Sequence, residues 1–169
     1  MNYRIKKKPE FKAFGIVKEF SHNGDKMQIS NFFNECIKNG SFDALRKLSH
    51  EKYLYENMPK MSEIGCGKKG NDKMFSYMIG TLIFNDKQIP DEYTQITIPA
   101  HMWAIFESKH FQDGVDDDTK IIQDLWERIF KEWLPSSTYE LADAPSIEQD
   151  FYDNPKECFV EIWIPIIKI

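Results

Sequence analysis

The run Cys158-Phe159-Val160-Glu161-Ile162-Trp163-Ile164-Pro165-Ile166 holds a single carboxylate among apolar residues. Side chains alternate faces along a strand. Val160, Ile162, Ile164 and Ile166 therefore share one face, suited to packing against helices. Phe159, Glu161, Trp163 and Pro165 share the other. A carboxylate between two aromatic rings is a cradle for an organic cation, through charge pairing and cation–π attraction. The same carboxyl with a raised pKa is suited to proton transfer. The alternation equally fits a Glu on the solvated face of an antiparallel sheet, paired with a cross-strand Lys.

Further aromatic residues stand in related positions. Phe75-Ser76-Tyr77-Met78-Ile79 is similar to Phe159-Val160-Glu161-Ile162-Trp163, which sets Tyr77 where Glu161 stands. Trp103 has His101 and Ile105 as same-face neighbours and is a candidate for another wall, or for the core. The candidate ligand-binding set is Glu161, Trp103, Tyr77, Trp163, Phe159, His101 and Phe75. Glu161 and Tyr77 are the candidates for catalysis.

Other chemical motifs fail on context. Gly65-Cys66-Gly67-Lys68-Lys69-Gly70 matches G-x-G-x-x-G, but an apolar strand follows it where a phosphate site needs a helix N-terminus. It reads as a turn. Ser49-His50-Glu51-Lys52 matches S-x-x-K without its companion motifs. Asp113, Asp116, Asp117 and Asp118 lack EF-hand spacing and suit a helix N-terminus better. The four histidines, His22, His50, His101 and His110, form no H-x-H or H-x-x-x-H pair, so no metal or cofactor is expected.

The elements that position these residues follow from periodicity. Residues 10–19 read as a strand and 26–39 as a helix, with Ile29, Phe32, Phe33, Cys36 and Ile37 at helical spacing and Gly40 ending it. A weaker helical turn follows at 42–48. Residues 53–70 read as turns with one short strand. Strands are expected at 73–84 and at 94–107, with Pro99 marking an edge or bulge in the second. Residues 119–133 carry a full apolar stripe, Ile122, Leu125, Trp126, Ile129, Phe130 and Trp133, and Pro135 stops that helix. Strands at 139–147 and 158–168 complete the chain. Strand, helix and strands thus occur twice, and Ala13-Phe14-Gly15-Ile16-Val17 is similar to Met102-Trp103-Ala104-Ile105-Phe106. An internal duplication of about 85 residues fits this pattern.

The bulk properties narrow the function. The chain has 169 residues and a net charge of -5, and its one basic run, Arg4 to Lys8, is short. This argues against direct nucleic-acid binding. No window approaches the roughly 18 apolar residues of a membrane helix, and MNYRIKKKPEFKAF lacks the apolar core of a secretory signal. Cys36, Cys66 and Cys158 are odd in number and far apart, as in a reduced cytoplasmic protein. Thirteen Phe, seven Tyr and four Trp leave material for an aromatic pocket beyond the core.

Several segments together resemble the gyrase-inhibitor-like small-molecule-binding family, the AraC-type effector-binding domain. They are the run from Ile98 to Phe106, the run from Leu125 to Ser137, the run from Tyr139 to Glu148, and Glu161-Ile162-Trp163-Ile164-Pro165-Ile166. The resemblance covers nearly the whole chain. It implies an α+β fold of two pseudo-symmetric strand-helix-strand-strand modules, here about 1–88 and 89–169 of one domain. They would form one curved antiparallel sheet with helices on one face and a central ligand cleft. It implies a cleft glutamate among aromatic residues, with Glu161 as the matching position. In place of the family's frequent Gly-Pro after the Trp103 strand stand His110-Phe111 and an acidic loop.

The function implied is a stand-alone protein that binds an amphipathic, cationic or aromatic organic ligand. The alternative is a hydrolase that opens cyclopropane-bearing DNA-alkylating compounds, with Glu161 assisting water attack. A third role, with gyrase or a separate regulator as protein partner, has no exposed apolar stripe to support it. The two modules span residues 3–168, which leaves no room for a helix-turn-helix.

Overall fold

The computed structural model describes residues 1–25, 27–52, 61–66, 74–83, 89–152 and 154–169, with backbone alone for 49–52 and 61–66. Its strands are β1 (Asn2–Lys8), β2 (Phe11–Ser21), β3 (Met61–Cys66), β4 (Met74–Ile83), β5 (Thr94–Ile98), β6 (His101–Glu107), β7 (Tyr139–Leu141), β8 (Ser146–Phe151) and β9 (Phe159–Lys168). Its main helices are α1 (Gln28–Lys38), α2 (Ser41–Lys52) and α3 (Asp118–Arg128). The fold is α+β, as the sequence implies. All nine strands belong to one antiparallel sheet in the order β1-β6-β9-β8-β3-β4-β2-β5, with β7 also on β9.

Two elements differ from expectation because of proline. The single strand expected at 94–107 breaks at Pro99-Ala100 into β5, at one end of the sheet, and β6, next to the edge strand β1 at the other. Proline cannot supply the ladder donor that a continuous strand requires. The strand expected at 139–147 likewise breaks before β8, around Pro145. The basic run Arg4 to Lys8 forms most of the edge strand β1, where its lysines discourage further pairing. The weak turn expected at 42–48 is the twelve-residue helix α2.

Helix ends follow local chemistry. Asp117 caps α3 by accepting from the Lys120 N–H at 2.9 Å. Gly40, at φ +79°, turns the chain from α1 into α2. The end of α3 runs through a π-helical turn at Ile129–Trp133, where the Leu134 N–H donates to the Ile129 carbonyl. Ile121, Leu125, Ile129 and Trp133, spaced by four, are all buried. A 3.6-residue repeat drifts away from that spacing, and the wider final turn offsets the drift.

The sheet buries both faces. On one, Phe14, Phe20, Tyr77, Ile79 and Ile83 pack against α1 and α2. On the same face Ala104, Phe106, Val160, Ile162, Ile164 and Ile166 pack against α3. The other face gathers Phe11, Ala13, Met78, Leu82, Ile98, Trp103, Ile105, Ile147 and Trp163. Among the described residues no helix contributes to this second cluster; the sheet curls onto itself. β2 and β6 are five steps apart and would be about 24 Å apart if flat. Yet the Phe11 and Trp103 rings lie 6.0 Å apart.

Gly15 and Gly80, register partners on β2 and β4, permit a close backbone approach within the curl. A Cβ on Gly15 would lie 2.1 Å from the Ile79 carbonyl oxygen, and one on Gly80 would lie 2.4 Å from that of Phe14. Both obstacles are backbone, so a side chain here must push strands apart. Gly15→Ala is expected to lose about 2–4 kcal/mol of stability in urea denaturation. An unchanged midpoint would contradict the close packing.

Candidate functional site

Helices α1 and α2 cover β2 and β4, while α3 covers β6 and β9. Between the two groups a cleft of about 650 Å³ opens over β8. Its floor carries Ser146, Glu148 and Asp150, which alternate with the inward Ile147 and Gln149. Glu148 and Asp150 stand two residues apart on one strand, which spaces their Cα atoms about 7 Å apart on the same face. The aromatic walls are Phe33 from α1, Phe75 and Tyr77 from β4, Trp126 from α3, and Tyr152 beyond β8.

Hydrogen bonds orient the polar groups of the cleft. The Trp126 indole N–H donates to Glu148 Oε2 at 2.6 Å. Phe130 stacks on Trp126 at 6.0 Å with an interplanar angle of 8° and holds the indole plane. The Tyr152 hydroxyl donates to Asp118 Oδ2 at 3.1 Å. Burial, then the carboxylates of Asp150 and Asp118, push the Tyr152 phenol well above its ordinary value, so it stays a donor at neutral pH. Three carboxylates line the cleft, and none of the described lining residues is cationic. Acidic groups among aromatic faces suit an organic cation with apolar substituents.

The structure splits the set expected from the sequence. Tyr77 and Phe75 line the cleft. Glu161, Trp103, Trp163, Phe159 and His101 lie on the opposite, inward face. The face partition of the last strand is as read from its alternation, but the cleft opens on the other side of it. Tyr77 is therefore not the counterpart of Glu161 across a shared cleft, because their positions differ in pleat phase. Glu161, 6% exposed, is engaged in the interior. Its Oε1 accepts from Arg4 of β1 and its Oε2 from the Trp163 indole N–H at 2.9 Å. The pairing with a basic residue open to the sequence reading thus involves Arg4, two strands away.

The remaining members of the set are packed against rings. Trp103 is fully buried, edge-on to Trp163 at 6.0 Å and to His101 at 6.3 Å. Phe159 is stacked between Phe151 at 4.4 Å and His110 at 5.0 Å. Sequence reasoning missed Glu148, Asp150, Trp126 and Tyr152 as site residues. The signal for the carboxylates was present in Ser146-Ile147-Glu148-Gln149-Asp150, where acidic side chains alternate with Ile147.

Among the described residues, no group of three or more His, Cys, Asp or Glu is arranged to hold a metal. Of the glycine-rich run, Gly65 and Cys66 end β3 and residues 67–70 lie outside the described residues. Ser49 to Lys52 lie in α2, with side chains outside the described set. No described helix is long and apolar enough to cross a membrane.

Solved structures share this architecture. SAV2435 bound to tetraphenylphosphonium matches with a TM-score of 0.76 and 20% identity over 99% of this chain and 94% of that one. An integron cassette protein from Vibrio cholerae matches at 0.62 with 13% identity, over 98% and 95% of the two chains. The C-terminal domain of EcmrR matches at 0.58 with 16% identity, over 99% and 98%. No curated protein sequence matches the chain. The family model of the integron-associated effector binding protein matches residues 4–166. With that match spanning both sets of helices and the cleft between them, the chain belongs to the integron-associated effector binding protein family.

Proposed function

We propose that this chain is a receptor for an amphipathic organic cation, held in the cleft between α1 and α3. In this reading residues 1–88 and 89–169 are two halves of one effector-binding unit, related by a pseudo-two-fold axis through the cleft. The strand order supports it. Exchanging β1 with β5, β2 with β6, β3 with β8 and β4 with β9 returns the same order read backwards.

The observation that carries the proposal is the cleft floor, where Glu148 and Asp150 stand between aromatic walls. A cavity of this volume suits a drug-sized ligand. A lipophilic cation sheds little hydration on entry and gains cation–π contact with Trp126, Phe33 and Tyr77. Trp126, bonded to Glu148, keeps that carboxylate aimed into the cleft. SAV2435 was solved with tetraphenylphosphonium, an aromatic cation, which makes that compound the natural probe.

Titration with tetraphenylphosphonium, followed by tryptophan fluorescence, tests the reading. Glu148→Gln is expected to weaken binding about tenfold, equivalent to about 1.4 kcal/mol. Unchanged affinity would remove Glu148 from the site. Glu161→Gln separates the two faces. It is expected to leave affinity within about twofold while lowering stability by about 1–3 kcal/mol, because Arg4 and Trp163 lose a charged acceptor. Loss of binding in a fully folded Glu161→Gln protein would place the ligand on the inward face instead.

A further inference from the structure

Helix α3 is tied to the cleft floor at two points. At one, the Trp126 indole N–H donates to Glu148 Oε2 at 2.6 Å. At the other, the Tyr152 hydroxyl donates to Asp118 Oδ2 at 3.1 Å. The bonds run in opposite senses, the first from helix to strand and the second from the end of β8 back to the helix. Asp118 and Trp126 are eight positions apart on α3, about 12 Å along its axis. Glu148 and Tyr152 are four positions apart, about 13 Å along an extended chain. The two lengths agree, so α3 runs along β8 in the opposite direction, with its N-terminus beside Tyr152.

Each tie sets a carboxylate and an aromatic ring at one end of the cleft. Glu148 stands at the first end with Trp126. Tyr77 is level with Ser146 through Gly65 of β3, which brings a second ring to that end. Asp118 stands at the other end with Tyr152. Burial, then the charges of Asp150 and Asp118, raise the Tyr152 phenol, which places both carboxylates beside it. Asp118 is fixed in the first turn of α3, where its Oδ1 accepts the Thr119 N–H at 2.6 Å. The positive end of the helix dipole, about half an elementary charge, lies here too. Asp116, Asp117 and Asp118 outweigh it, and Lys120 of the same turn does not line the cleft. Between the ends, Ile122 stands four positions from both Asp118 and Trp126, so acid, aliphatic and aromatic side chains share one face of α3.

We propose that the cleft selects an elongated dication, with two cationic groups about 11–14 Å apart on an apolar chain, one at Glu148 and Trp126 and the other at Asp118 and Tyr152. This rests on the cation reading of the cleft and names the class of ligand it takes. A monocation gains from one end only. A dication of matching length engages both, and its second contact is intramolecular. Quaternary ammonium groups suit both ends, because a carboxylate beside a ring face attracts a cation that donates no hydrogen bond. The connecting chain lies against Ile122 of α3 and Ile29 of α1, which line the cleft between the two helices.

The test is isothermal titration calorimetry, at constant ionic strength, with bis(trimethylammonium) alkanes of four to twelve methylenes. Each is compared with the alkyltrimethylammonium of the same chain length, which cancels the apolar contribution of the chain. Tetraphenylphosphonium is a separate arm. The ratio of dication to monocation affinity is expected to peak at about eight to ten methylenes, whose extended spans of about 11–14 Å match the two ends, and to reach about tenfold there. Asp118→Asn keeps an acceptor for Tyr152 and removes one charge. It is expected to lower the peak ratio about fivefold. A ratio without that peak, with tetraphenylphosphonium still bound, overturns the dication inference and leaves the cation reading standing. Failure of the phosphonium and of every dication to bind overturns both together. An unchanged peak in Asp118→Asn also overturns the inference, because it removes the second end.

Discussion

A side chain on β4, β6, β8 or β9 has two places to go, the helix side of the sheet or the inside of its curl. Its neighbour in sequence must take the other. Because both sides are buried, a polar residue on either one needs a partner. On β9 this sends Ile162 to α3 and Glu161 inward, and on β8 it sends Glu148 to the cleft and Gln149 inward. The chemistry of each face follows from that phase. The cleft receives carboxylates and aromatic rings, while the described interior holds the Arg4–Glu161 ion pair and four polar atoms, on His101, Trp103 and Gln149, without a hydrogen-bond partner.

The helices explain why a cleft exists at all. α1 and α2 cover β2 and β4, α3 covers β6 and β9, and the cleft opens between them over β8. A continuous helix layer would take Glu148 and Asp150 out of solvent. The gap leaves both carboxylates on the floor of an open cleft. Trp126 marks the boundary between core and cleft. The core residues of α3 are Ile121, Leu125, Ile129 and Trp133, and Trp126 stands one position off that line, facing β8.

Much of this was legible in the sequence. The alternation in Phe159 to Ile166 assigned each residue to its face, and Leu125, Ile129 and Trp133 of the expected stripe are among the residues that pack on β6 and β9. The side of the sheet on which the cleft opens was not legible. That depends on how far each helix extends over the sheet, a tertiary property that periodicity does not encode. Of the six-residue apolar stripe, Leu125, Ile129 and Trp133 are buried, Ile122 and Trp126 line the cleft, and Phe130 stacks on Trp126. Glu161 drew attention because its neighbours are apolar, yet such surroundings equally mark a buried ion pair whose partner, Arg4, is 157 residues away in sequence. Proline breaks at Pro99 and Pro145 were visible as punctuation, but the sequence did not show that β5 would lie at one end of the sheet and β6 next to the edge strand at the other.

The central claim is that the cation site lies on the helix side of the sheet, not inside its curl. A crystal structure of the tetraphenylphosphonium complex tests this most directly. The account predicts the phosphonium between α1 and α3, over Glu148 and Asp150, with a phenyl group against Trp126 or Phe33. A cation found inside the curl, against Glu161 and Trp163 with Arg4 displaced, would contradict it.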